Sequence, residues 1–384
     1  MKVNSNLPHA NVTGEVYVKR QAFVQGLALE MLWYCFDGIQ LRMTINIGLV
    51  GGGNISETHA RAARAIPGVE VAAIFGANAE KVDRLCREYG GTPYSNFEKF
   101  LAHRPMEIVA IGSPSGLHAE QGIAAARHGL HVLTEKPIDI SVERADALIA
   151  ETKKAGVKLG VFFQDRCKPD ILRVKCAVDS GTLGRPILAD ARVKWYRAPD
   201  YYAKSRWRGT WALDGGGALI NQAVHTLDLM MWIFGEVASV QAASRTALHT
   251  IEAEDTLTAM LQFANGALGV LQATTSTFPG YPRRLELNGS EGTLIIEQDR
   301  LLAADLKTPS DDLLRGAEAD GNPSSSSPVV SDARGHQAVL QDFLDAIRTG
   351  GEPRCDGKQG RRSLALVQAI YAACESGERV RVAS

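Results

Sequence analysis

The stretch INIGLVGGGNISETHARAARAI, Ile45–Ile66, decides the fold. An apolar run closes in Gly51, Gly52 and Gly53 and passes at once into a segment that reads as a helix. Glycines at such a junction allow a tight turn and let backbone N–H groups approach a pyrophosphate at the helix N-terminus. Ser56 stands where the full fingerprint has its third glycine, so the motif draws its weight from lying between a strand and a helix. The plain alternative is a tight strand–helix turn that holds no ligand.

Outward from this turn the same grammar repeats. VEVAAIFG reads as a strand before helical AEKVDRLCREYG; EIVAIGS, GLHAEQGIAAARHG and HVLTEKP give strand, helix, strand; SVERADALIAETKKAG and KLGVFFQ repeat it. Continuous apolar strands alternating with helices predict a parallel sheet covered on both faces, an α/β Rossmann domain over 43–165. After Gln164 come one helix, the strand PILADARVKWY, an aromatic loop, a glycine-started helix over GGGALINQAVHTLDLMMWIFG, and strands with turns at Asn265-Gly266 and Asn288-Gly289. This predicts an antiparallel sheet in a second domain of α+β type over 166–345. Residues 308–331, with the run SSSSP, read as an exposed flexible loop, and 346–384 as a helical segment returning to the Rossmann domain.

The bulk numbers exclude several classes. A formal net charge of −1 gives no reason to expect nucleic acid or an anionic membrane surface as a partner. Thr256–Pro282, the longest uncharged run, contains two prolines and an Asn-Gly pair and reads as a hairpin rather than a membrane span. Cysteines at 35, 86, 167, 176, 355 and 374 form no CxxC and no metal-like cluster, so reduced thiols in a cytoplasmic protein and no metal site are expected. In residues 1–42, Glu30 and Asp37 interrupt an apolar run and no cleavage site follows, which argues against a signal peptide. Met43 stands two residues before the first strand, so 1–42 is expected to be a dispensable extension.

A second dinucleotide element is missing. An acidic residue near the end of the second strand holds the ribose diol in NAD enzymes, but Gly76 occupies that place and no arginine follows at Ala77. Weak discrimination between NAD and NADP is expected, leaning to NAD, with Lys81 and Arg84 the residues most able to reverse it.

Two charged constellations carry the chemistry. In TEKPID, Thr134–Asp139, Lys136 follows a strand at its C-terminal end, where ligands of open α/β sheets sit. Such a lysine can hydrogen-bond a substrate hydroxyl, while Glu135 balances its charge and Pro137 restricts the backbone; a surface ion pair beside a loop proline is the plainer reading. In DGGGALINQAVHTLD, a continuous helix puts Asn221, His225 and Asp228 on one face, and the histidine can take a proton near neutral pH. A core histidine is the competing reading. The loop before it carries Tyr201, Tyr202, Trp207, Arg208 and Trp211, flat rings and a fixed fork suited to a sugar face, its hydroxyls or a carboxylate, or else to a protein interface.

With these motifs, and with AIGSPSGLH and the closing DFLDAIRTGGEP…DGKQGRRSLALVQAIYAA, the chain resembles the Gfo/Idh/MocA oxidoreductases from about Ile45 to Val382. The resemblance implies a Rossmann domain plus an α+β domain with an open-faced, mainly antiparallel sheet, an active site between the two, and hydride transfer between NAD(P) and a hydroxyl carbon of a sugar, sugar acid or cyclitol. By position it implies that Gly51, Gly53, Asn54 and Ile55 meet the pyrophosphate. Ser113, Pro114, His118, Glu135 and Gln164 would border the ribose and nicotinamide, and Lys136 and His225 would form the catalytic pair. Asn221, Trp207, Arg208, Tyr202 and Arg166 are expected on the substrate, and a homo-oligomer is expected because a broad open sheet commonly associates. Asn221 departs from the family, in which many members carry an aspartate four residues before the histidine. A redox-assisted glycoside hydrolase or lyase and a non-catalytic dinucleotide sensor are the other readings.

Overall fold

Of the 384 residues, a computed structural model describes 44–310, 313 and 332–383. The extension 1–42, Cys35 and nearly all of the loop expected at 308–331 lie outside the described residues.

Six parallel strands form the first sheet: β1 (Ile45–Val50), β2 (Val69–Phe75), β3 (Thr92–Tyr94), β4 (Ile108–Ile111), β5 (His131–Thr134) and β6 (Leu159–Val161). Their order is β3-β2-β1-β4-β5-β6, so the direction of winding reverses between β1 and β4. The helices between them are α1 (Asn54–Arg64), α2 (Ala79–Tyr89), α3 (Phe97–Leu101), α4 (His118–Arg127) and α5 (Val142–Ala155). Both sheet faces are covered: Ile47, Leu49, Ile108 and Ala110 pack in one core, and Val50, Val109 and Ile111 in the other. β3 was not expected; three residues containing Pro93 at a sheet edge carry almost no strand signal.

After α6 (Pro169–Asp179), strand β7 (Pro186–Lys194) starts the second sheet. A short helix, α7 (Asp200–Ala203), and then α8 (Val224–Phe234) precede strands β8 (Val237–Arg245), β9 (Thr256–Phe263), β10 (Leu268–Thr274), β11 (Arg284–Gly289), β12 (Gly292–Glu297) and β13 (Arg300–Leu306). Helices α9 (Arg334–Thr349) and α10 (Gly357–Ser376) and strand β14 (Val380–Arg381) close the chain. The sheet order is β13-β12-β11-β7-β10-β9-β8-β14, antiparallel except where β7 lies parallel to β10. Strand β9 alternates, with Leu257, Ala259, Leu261 and Phe263 buried and Met260 exposed, as a sheet with one open face requires. Helix α9 packs on α1 of the first domain, ahead of the boundary expected at 346, whereas α10 packs on both α5 and strand β8 of the second sheet.

Two local expectations change. Asn265-Gly266 is the turn between β9 and β10, but Asn288-Gly289 lies within β11 and the turn falls at Ser290-Glu291. Gly289 answers a close approach, since a Cβ there would meet the Leu183 carbonyl oxygen at 2.0 Å. The glycine-started segment is not one α-helix either: residues Ala218–Ala223 are π-helical and only Val224–Phe234 are α-helical. A wider turn changes the phase of the residues before His225 relative to those after it.

Candidate active site

The phosphate turn is built as its sequence requires. Gly51 has φ +118°, a conformation that disfavours any side chain, and a Cβ there would strike Ser56 Oγ at 2.5 Å. Gly53 caps α1 with no side chain bonded to the free N–H groups, and a Cβ there would meet nothing within 4 Å. Gly53, Asn54 and Ile55 therefore line an open helix N-terminus that suits a pyrophosphate, and the residues fit the dinucleotide that the fold implies.

The end of β2 explains the missing acid. A Cβ at Gly76 would lie 2.9 Å from Val82 Cγ2 and 3.3 Å from the Gly52 nitrogen, so α2 packs where a carboxylate would stand. Arg84 is held by Glu57 at 2.9 Å, which leaves Lys81 as the cation nearer the turn. NAD should bind at least as tightly as NADP, and Lys81→Ala should weaken NADP alone. A preference for NADP of about a hundredfold in measured dissociation constants would contradict this reading of the loop.

At the ends of β4 and β5 the expected cofactor residues are mostly braces. Ser113 Oγ donates to Gln121 Oε1 at 2.6 Å, and Pro114 precedes a short 3₁₀ turn. His118 is buried between the two strand ends, its Nε2 3.0 Å from the Ser113 carbonyl and its Nδ1 2.8 Å from the Pro137 carbonyl, and a neutral ring donates to one of them. Asp139 accepts from the Ala119 and Ile140 nitrogens and closes the turn after the cis Lys136–Pro137 bond. Gln164 Oε1 is buried without a partner among the described residues.

Glu135 turns into the core. His59 Nε2 and His336 Nε2 lie 3.0 and 3.2 Å from its Oε1, bringing three groups from α1, β5 and α9 to one point. The sequence showed no metal-like spacing, yet these atoms all lie within 4.8 Å of one another. Burial by itself would raise the Glu135 pKa, but the two imidazole hydrogen bonds outweigh it and hold the carboxyl well below its ordinary range. Burial lowers the pKa of His59, so a neutral imidazole donating to the carboxylate accounts for the geometry.

Lys136 Nζ donates to the Asn221 carbonyl at 2.9 Å, which joins the first domain to the π-helical segment before His225. Burial lowers the lysine pKa, opposed by the charges of Glu135, Asp214 and Asp165. Burial also pushes His225 down to about 3, with the Asp165 charge acting to raise it and the Lys136 charge to lower it further. The two expected catalytic residues thus share one electrostatic neighbourhood.

Asp165, absent from the sequence reading, lies 3.4 Å from His225 Nδ1. Burial would raise its pKa, but Arg283 at 2.6 Å, with His225 and Lys168, keeps it strongly depressed and ionised. Asp214, also missed, accepts from the Gly209 nitrogen at 2.8 Å and from Asn221 Nδ2 at 2.6 Å; burial raises it to about 6. Arg283 is 118 residues from Asp165 in the chain, so no local motif links them.

The expected substrate residues divide. Trp207, Arg208 and Asn221 are partly exposed, and Arg208 lies 4.4 Å over the Tyr201 ring. Tyr202 turns inward, its hydroxyl 3.0 Å from Thr275 Oγ1 and its ring against His249. Arg166 is 1% exposed and bound to Asp228 at 2.6 and 2.7 Å, so neither residue faces a substrate. The shared face expected for Asn221, His225 and Asp228 fails for the same reason.

Comparison with known proteins agrees with this architecture. Residues 45–163 match the profile described as "Oxidoreductase family, NAD-binding Rossmann fold", and residues 171–295 that of the "GFO/IDH/MocA C-terminal domain". The D-apiose dehydrogenase of Paraburkholderia graminis is 27% identical over 88% of this chain and 89% of that protein. The inositol 2-dehydrogenase of Rhizobium meliloti is 25% identical over 89% of this chain and 100% of that protein. The WlbA dehydrogenase from Bordetella pertussis, solved in complex with NADH and UDP-GlcNAcA, superposes with a TM-score of 0.82 at 32% identity, covering 89% of this chain and 98% of that one. The chain belongs to the Gfo/Idh/MocA family and is an NAD(P)-dependent dehydrogenase with an NAD-binding Rossmann domain.

Proposed function

We propose that this dehydrogenase acts on a hydroxyl-bearing carbon of a carbohydrate-like substrate, a sugar, sugar acid or cyclitol, with Lys136 and His225 at the reacting oxygen. The observation that carries the reading is the Lys136 Nζ bond to the Asn221 carbonyl, which brings the end of β5 against the segment leading into His225. Relatives named for D-apiose and inositol support the substrate class. Bound NAD supplies a hydride acceptor at its nicotinamide. Lys136 donates to the substrate oxygen and stabilises the charge that grows there. His225, neutral above its low pKa, accepts the hydroxyl proton, and the Asp165 carboxylate, 3.4 Å from its Nδ1, favours the positive charge that forms on the ring. The cofactor loop, with Gly51, Gly53, Asn54 and Ile55, holds the pyrophosphate.

A screen of sugars, sugar acids and cyclitols against both cofactors, read by absorbance of the reduced cofactor, tests the reading. Turnover without net reduced cofactor, by enzyme that retains its dinucleotide, would point instead to a redox-assisted hydrolase or lyase. Exposed Ile187, Leu188, Met260 and Leu268 on the second sheet support a homo-oligomer, and Met260→Lys should shift light-scattering mass towards the monomer.

A further inference from the structure

The glycine-started segment before His225 begins on one acid, Glu254, in the loop ahead of β9. The Gly217 nitrogen donates to its Oε2 at 3.1 Å, the Leu219 nitrogen to its Oε1 at 2.8 Å, and the Ala218 nitrogen to its main-chain carbonyl at 3.0 Å. Successive N–H groups at the start of the π-helical turn thus end on a single residue, whose negative charge complements the positive end of the helix. Tyr371 on α10 donates its hydroxyl to Oε1 at 3.1 Å. The glycines admit this cap: a Cβ at Gly217 would strike the Glu254 carbonyl oxygen, and one at Gly216 the Tyr371 hydroxyl.

The cap holds the joint between Lys136 and His225. Just beyond Leu219, the Asn221 carbonyl receives Lys136 Nζ at 2.9 Å, and His225 follows one turn later. Glu254 is 4% exposed, and among the described residues no cation lies within ion-pair distance of it. The ionisable groups that feel its charge are Tyr371 and Cys374 on α10 and Tyr202 on α7, all of them neutral near pH 7. Neighbouring Asp255 is tied to the nitrogens of Ala247, Leu248 and His249, and Glu252 to that of Trp211. Burial raises the Glu254 pKa from 4.5 to about 7, against the pull of the hydrogen bonds it accepts.

We infer that Glu254 is a positioning residue for the dehydrogenase reaction: its carboxylate fixes the π-helical segment so that the Asn221 carbonyl holds Lys136 at the substrate oxygen. This rests on the proposed roles of Lys136 and His225 and deepens them. A protonated carboxyl keeps one strong acceptor oxygen, so an N–H at the segment's start loses its partner and turnover falls as pH drops through about 7. Stability runs the other way. The folded-state pKa lies above the ordinary one, so the stability this group contributes is present below about pH 4.5 and lost as pH rises through about 7. A residue kept for stability alone would move both readouts together. The test follows kcat against pH with NAD and the best compound of the sugar and cyclitol screen, together with hydrogen exchange over residues 217–225, which needs no substrate. Glu254→Gln should exchange about tenfold faster there at alkaline pH. Its kcat should be about ten- to a hundredfold below the parent's, with the limb near neutrality gone. Glu254→Asp, which keeps the charge, should retain a limb. Tyr371→Phe removes a hydrogen bond that lowers the Glu254 pKa and should move the limb upward. A limb that stays in place in Glu254→Gln belongs to another group, Asp214 first, and overturns the inference, as does unchanged exchange. Should Glu254→Gln not fold, an unmoved limb in Tyr371→Phe overturns it instead. If exchange and limb respond as expected while Lys136→Ala keeps parental turnover, the cap stands and the catalytic reading of Lys136 fails.

Discussion

Lys136→Ala and His225→Ala should each lower turnover by about 10²–10⁴-fold, the usual contribution of positioned acid–base groups, while NAD affinity stays near that of the parent. The lysine change should cost at least as much as the histidine change, because it removes both a hydrogen-bond donor and the positive charge beside the developing alkoxide. Burial holds His225 at about 3, so its protonation should not set the acidic limb of the pH–rate profile until well below neutrality. Asp165→Asn removes the charge that raises His225 and should lower turnover without loss of cofactor. Asn221→Asp is not a simple gain of basicity here. Asn221 Nδ2 donates to Asp214 Oδ1, so an aspartate would face a second carboxylate and one of the two would keep a proton. Near-normal turnover in folded His225→Ala would reduce the histidine to a packing residue.

Asp228→Ala should cost about 3–5 kcal/mol of stability, since removing one partner leaves the other charge buried and unanswered. Arg166 donates to Asp228 Oδ2 at 2.7 Å and Oδ1 at 2.6 Å, Ser363 Oγ donates to the same carboxylate at 2.7 Å, and Gln359 Oε1 accepts from Arg166. Both charged side chains are 1% exposed, and Trp232 stacks on the guanidinium at 5.1 Å. The network joins the start of the second domain, α8 and α10, so its loss should appear as a cooperative fall in denaturation midpoint. Arg166→Leu should behave alike. Were Arg166 a substrate ligand, KM would rise and the midpoint would hold.

Periodicity carried most of the fold. Continuous apolar strands between amphipathic helices fixed the parallel sheet, because a strand buried on both faces cannot alternate. The open face was implied by the family resemblance, and the alternating burial of β9 in the structure accords with it. The glycine turn was legible because it joins a strand to a helix, and Lys136 and His225 could be singled out as candidates because each sits at a strand end or near a helix start. The partners were not. Arg283 reaches Asp165, His336 reaches Glu135, and Asp228 takes Arg166 out of the cleft, across separations of 118, 201 and 62 residues. Local sequence sets which face a residue occupies. Only packing decides which charges meet there, since a buried charge must find its counter-charge wherever the fold brings one.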